Sequence, residues 1–67
     1  MTIHLGRLIN RFVGEAGKLI IRAQLDNGRI IDVRVREQDC EQAAAIWGSH
    51  IVRFAYRGGR AFFEPRD

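Results

Sequence analysis

Residues 18–36 read KLIIRAQLDNGRIIDVRVR, two alternating apolar runs joined by Asp26, Asn27 and Gly28. Leu19, Ile21, Ala23 and Leu25 share one face of the first run. Ile31, Val33 and Val35 share one face of the second, opposite Asp32, Arg34 and Arg36. This is the period of half-buried strands. Directly opposed residues of an antiparallel pair lie on the same face, so parity gives the turn length. A two-residue turn at Asn27 and Gly28 sets Ile21 against Arg34 and Leu19 against Arg36, mixing core with surface. A three-residue loop sets Ala23 against Ile31, Ile21 against Val33 and Leu19 against Val35. It also sets Arg22 against Asp32 on the outer face. The expected link is therefore a type I turn followed by Gly28 in the left-handed region.

Before this hairpin, residues 3–13 are rich in strand formers and interrupted by Gly6. A glycine inside a strand marks a bulge or sharp bend, as in a strand that serves two edges of a barrel. Residues 14–17 then break the pattern. After the hairpin, Asp39 with Gln42 forms a capping-box pattern and Gly48 is a stop signal. Cys40, Ala43, Ala44 and Trp47 make one helical apolar stripe. So short a helix is unstable alone and is expected to plug a barrel end. Residues 50–57 and 60–64 form a last hairpin around Gly58 and Gly59. Its register sets Tyr56 against Ala61 and Phe54 against Phe63 inside, Arg53 against Glu64 and Ala55 against Phe62 outside. Pro65 ends the sheet.

The order is β-β-β-α-β-β. Sixty-seven residues make one domain spanning 1–67. Leu, Ile, Val and Phe number twenty, or 30% of the chain, enough for a core. The expected fold is an all-β small barrel with one short helix, of the OB type, with Val52, Phe54, Tyr56 and Phe63 among its interior residues. An SH3-like barrel is the alternative.

The chain has no apolar run long enough for a membrane helix and no secretory pattern at its start. Its single cysteine favours a reducing compartment, so a cytoplasmic location is the expectation. Ten of its eleven basic residues are Arg, the net charge is +3 and the pI is about 10. Arg suits phosphates, carboxylates and flat rings; codon bias explains the same enrichment without function.

No catalytic constellation is visible, and no cofactor is expected. Residues 14–18 have Gly and Lys as a phosphate loop does, but with two residues between the glycines rather than four and no Ser or Thr after Lys18. They read as a turn. His4 and His50 lack companions at metal-ligand spacing. Cys40 and Trp47 read as packing residues.

The outer face is more informative. Lys18, Ile20, Arg22 and Gln24 point outward from one strand, and Ile30, Asp32, Arg34 and Arg36 from the next. The final turn carries Arg57 and Arg60 opposed, a like-charge pair that an anion would relieve. Lys18, Arg22, Arg34, Arg36, Arg57 and Arg60 are the expected basic track for RNA or single-stranded DNA. Phe62 and Phe12 are the aromatics available for stacking. Outward Ile20 and Ile30 beside arginines also suit a protein partner or self-association.

The segment 22–31, with Gly6 and Gly48 flanking it at a distance, resembles the hairpin of bacterial translation initiation factor one and its ribosome-binding relatives. The similarity runs over about residues 6–57. It implies RNA or ribosome binding through Arg34, Arg36, Arg57 and Arg60. The turn before the fourth strand is Gly48-Ser49 where that family has Gly-Asp. Phe12-Val13-Gly14-Glu15, Leu25-Asp26-Asn27-Gly28 and Val33-Arg34-Val35 are similar to the TOBE module of importer ATPases and molybdate-binding proteins. That resemblance implies sensing of an oxyanion or other transported solute.

Overall fold

A computed structural model describes residues 2–46 and 50–65. Strands β1 (His4–Val13), β2 (Leu19–Gln24), β3 (Ile30–Arg34), β4 (Ile51–Arg57) and β5 (Arg60–Phe63) close into a barrel in the order β1-β2-β3-β5-β4. All pairings are antiparallel except β3 with β5, which meet in parallel at Arg34 and Phe62.

The central hairpin has the register that parity requires. Ala23 faces Ile31, Ile21 faces Val33 and Arg22 faces Asp32. The ladder continues through Leu25 N–H to Arg29 O (2.8 Å) and Val35 N–H to Leu19 O (3.2 Å). Gly28 donates to Leu25 O at 2.9 Å with φ at +86°, closing the three-residue loop. A side chain at that φ would strain the backbone. The β4–β5 hairpin has its two-residue turn, with Gly58 and Gly59 at φ +58° and +79°. Phe54 faces Phe63, Ala55 faces Phe62 and Tyr56 faces Ala61.

β1 does serve two edges, pairing with β4 through His4–Arg7 and with β2 through Arg7–Val13. The bulge expected at Gly6 lies at Ile9 instead, between Leu8 and Asn10. Gly6 marks a close approach: a Cβ there would sit 3.1 Å from Ala23 Cβ and 3.3 Å from Gln24 O. The bulge also reverses the side-chain parity of the second half of β1, so Arg11 lies opposite the inward residue Ile21.

The core is Leu8, Ile21, Ala23, Val33, Val35, Val52, Phe54, Ala61 and Phe63, closed by Ala43 from the helix. Two inside–outside expectations fail. Tyr56 is 49% exposed, because it stands at the end of β4 beside the glycine turn and leans edge-on to His4 and Phe54. Ala55, placed outward, is buried.

The helix α1 (Cys40–Ala44) follows a 3-10 turn over Glu37–Asp39. The expected capping box does not form. Asp39 takes φ −105° and ψ 0°, outside the extended geometry a capping side chain uses, and its carboxylate turns to Arg36 Nε at 3.1 Å. Cys40 and Ile46 pack on the core beside Ala43, whereas Ala44 is exposed because so short a helix shows only a narrow inner face. The stop at Gly48 and the place of Trp47 lie outside the described residues.

Candidate nucleic-acid interface

Strand pairing lines up one outward row across four strands: Phe12 on β1, Ile20 on β2, Arg34 on β3 and Phe62 on β5. Phe12 pairs with Ile20, Ile20 with Arg34 and Arg34 with Phe62. Arg34 is exposed; Phe12, Ile20 and Phe62 are half-buried. From sequence the two phenylalanines lay on strands other than the two that carry the outward Lys18–Gln24 and Ile30–Arg36 positions. The curl of the barrel brings them to either side of Ile20 and Arg34.

The six cations of the expected track divide into two groups. Arg22, Arg36 and Arg57 are paired. Arg22 bridges Asp32 at 2.9 Å, which raises its pKa by hydrogen bonding and then by charge attraction. Its guanidinium also lies 5.0 Å from the centroid of the Phe12 ring, within reach of a cation–π contact. Arg57 and Arg36 both clasp Glu64, at 3.0 and 3.6 Å. Lys18, Arg34 and Arg60 form the second group, exposed and with no ion-pair partner among the described residues.

The clasp corrects the reading of the Gly58–Gly59 turn. Arg57 and Arg60 do oppose each other, but Arg57 is neutralised by Glu64 rather than awaiting an anion. It also corrects the expected Arg53–Glu64 pair. Those residues join only by backbone, Glu64 N–H to Arg53 O at 2.9 Å. On the ladder the Ala55–Phe62 pair separates Arg57 from Glu64, so the Arg57 side chain must lie across it. That accounts for the burial of outward Ala55.

The unpaired cations are ordered in space. Lys18 precedes Ile20 by two residues, and Arg60 precedes Phe62 by two. β2 runs antiparallel to β3 and β5 runs parallel to it, so Lys18 and Arg60 fall on opposite sides of the aromatic row. With ordinary strand spacing and rise, Lys18, Arg34 and Arg60 make a diagonal with steps of about 8 Å.

Ile20 and Ile30, paired in the self-association reading, are not contiguous. They stand about 13 Å apart along β2–β3, with the Arg22–Asp32 bridge between them. Residues 14–18 form a turn closed by Gly14 N–H to Lys18 O at 2.7 Å.

Arg11 was missed by sequence reading. Its Nη1 donates to the carbonyls of Ala43 (3.3 Å), Ala44 (2.9 Å) and Ile46. It satisfies acceptors that every helix C-terminus leaves open and ties α1 to the barrel. Comparison of the chain with protein-family models, curated proteins and solved structures finds no match.

Proposed function

We propose that this chain is an OB-type module that binds single-stranded nucleic acid, RNA or DNA, without catalysis. The β1-β2-β3-β5-β4 closure with a parallel β3–β5 seam and a helix between β3 and β4 supports the OB assignment over an SH3-like meander. The observation that carries the binding reading is the row Phe12–Ile20–Arg34–Phe62 crossed by the diagonal Lys18–Arg34–Arg60. Rings and an aliphatic side chain offer bases a stacking surface that tolerates any sequence. The diagonal offers phosphates three unneutralised cations at a spacing close to that of an extended strand. Phosphate neutralisation supplies most of the affinity and little sequence readout.

The same row separates this reading from its competitors. A self-association surface built on Ile20 and Ile30 is interrupted by an ion pair, and a solute site at the glycine turn has lost Arg57 to Glu64. The test is titration of a fluorescent single-stranded oligonucleotide with Arg34→Ala and, as control, Arg29→Ala. Arg29 is exposed in the β2–β3 turn, away from the row. The proposal requires Arg34→Ala to weaken binding clearly more than Arg29→Ala; equal effects refute it.

A further inference from the structure

We propose that Asn27, at the tip of the β2–β3 hairpin, is a site of spontaneous deamidation, and that its isoaspartyl product loosens the hairpin. The tip lies away from the Phe12–Phe62 row, so the site stands independently of the nucleic-acid reading. Asn27 is followed by Gly28, and both are exposed.

Deamidation requires a backbone nitrogen to reach the side-chain amide carbon of the residue before it. Glycine permits that approach because it carries no Cβ, and no atom lies within 4 Å of where a Gly28 Cβ would stand. The amide carbon is prepared as well. Asn27 Oδ1 accepts a hydrogen bond from Arg29 N–H at 2.9 Å, and a donor there stabilises the negative charge that develops on the oxygen during attack. One contact opposes the step: Gly28 N–H donates to Leu25 O at 2.9 Å. The turn must open before the nitrogen is free. An exposed hairpin tip opens locally at far lower cost than the whole fold.

Hydroxide removes the Gly28 amide proton, and the nitrogen bonds to Asn27 Cγ. The bond from Cγ to the side-chain nitrogen breaks, and that nitrogen leaves as ammonia with a proton from water. Water then opens the five-membered imide at either carbonyl. One opening leaves an aspartyl side chain at position 27; the other leaves an isoaspartyl linkage, in which the backbone runs through Cβ. The isoaspartyl form adds one backbone atom to a loop whose length sets Ala23 against Ile31 and Ile21 against Val33.

Asn10 is the internal control. It is the other asparagine of the chain and is also exposed. It is held within β1 opposite Arg22, and the nitrogen after it belongs to Arg11, whose side chain is tied to the end of α1.

The experiment incubates the full chain at neutral and at mildly alkaline pH, folded and in urea, and follows intact mass and fragmented tryptic peptides. The folded protein should gain one dalton per chain, located at Asn27 within the peptide Ala23–Arg29, at least fivefold faster at the alkaline pH. Asn10 should stay intact, and Asn27→Gln should slow the gain at least tenfold. The isoaspartyl product, separated by ion exchange, should melt several degrees below both the parent protein and Asn27→Asp. Reaction in urea but none in the folded chain, equal conversion at Asn10, a rate indifferent to pH, or an isoaspartyl product with the parent's thermal midpoint overturns the inference.

Discussion

Arg34 on β3 and Phe62 on β5 stand side by side at the parallel seam that closes the barrel. An exposed guanidinium and a half-buried ring thus meet where the sheet curls back on itself. Stacking and charge are offered there at one place.

Phe62→Ala should weaken oligonucleotide binding by about 1–3 kcal/mol, the usual worth of one base–aromatic stack. Because Phe62 is half-buried and pairs with Ala55 across the β4–β5 ladder, a thermal melt should accompany the titration. Lost affinity in a folded variant supports the row; unchanged affinity removes Phe62 from it.

Arg60→Ala and Arg57→Ala should behave differently although the residues face each other. Arg60 has no ion-pair partner among the described residues, so its removal should cut the slope of log K against log salt by about 0.7, one phosphate's share on a single strand. Arg57→Ala should leave that slope nearly unchanged and lower stability by roughly 1 kcal/mol or less through loss of the Glu64 bridge. Equal slopes in the two variants would contradict the division of cations.

Glu64→Gln should act in the opposite sense. Removing the carboxylate takes a counter-charge from beside Arg57 and Arg36, although Arg36 keeps its bridge to Asp39, so affinity at low salt should rise and the salt slope should steepen. A weakened or unaltered titration would show that the clasp does not compete with phosphate.

Arg11→Met should lower stability without touching the row. The guanidinium satisfies helix C-terminal carbonyls through charged hydrogen bonds, together on the order of 1.5–3 kcal/mol. In a domain of this size the thermal midpoint should fall on the order of 10 °C. A midpoint within a degree or two of the parent protein would contradict the role assigned to Arg11.

Gly6→Ala should cost about 1–3 kcal/mol, because the new Cβ meets Ala23 Cβ and the backbone of β2 with little freedom to yield. Gly28→Ala should cost about 1–2 kcal/mol for another reason: no atom lies within 4 Å, but φ is +86°. Denaturant midpoints of the two variants check both values, and an unshifted midpoint in either contradicts the corresponding argument.

Both hairpins were legible in the sequence because parity is rigid: one wrong loop length places Arg34 or Arg36 in the core. The Arg22–Asp32 bridge followed from the same register. What escaped notice depends on events parity does not encode. Leu8 and Ile9 are both apolar, so nothing in the sequence marks the bulge that turns Arg11 toward the helix. Tyr56 keeps the inward parity but stands where the barrel has ended. Glu64 is opposite Arg53, yet its carboxylate is bridged by Arg57 and Arg36. Of the interface, the cations were visible as residue types. Their division into paired and unpaired, and the meeting of Phe12 with Phe62 around Arg34, needed the closed barrel.

The measurement that bears most directly on the central claim is a fluorescence titration of labelled single-stranded RNA and DNA with the unmodified protein at two salt concentrations. Three phosphate contacts, by Lys18, Arg34 and Arg60, predict a log–log slope of about −2, or roughly twentyfold weaker binding between about 50 and 200 mM salt. Micromolar or tighter binding at the lower concentration with that salt dependence is the expected result. No binding at low salt, or binding indifferent to salt, would contradict it.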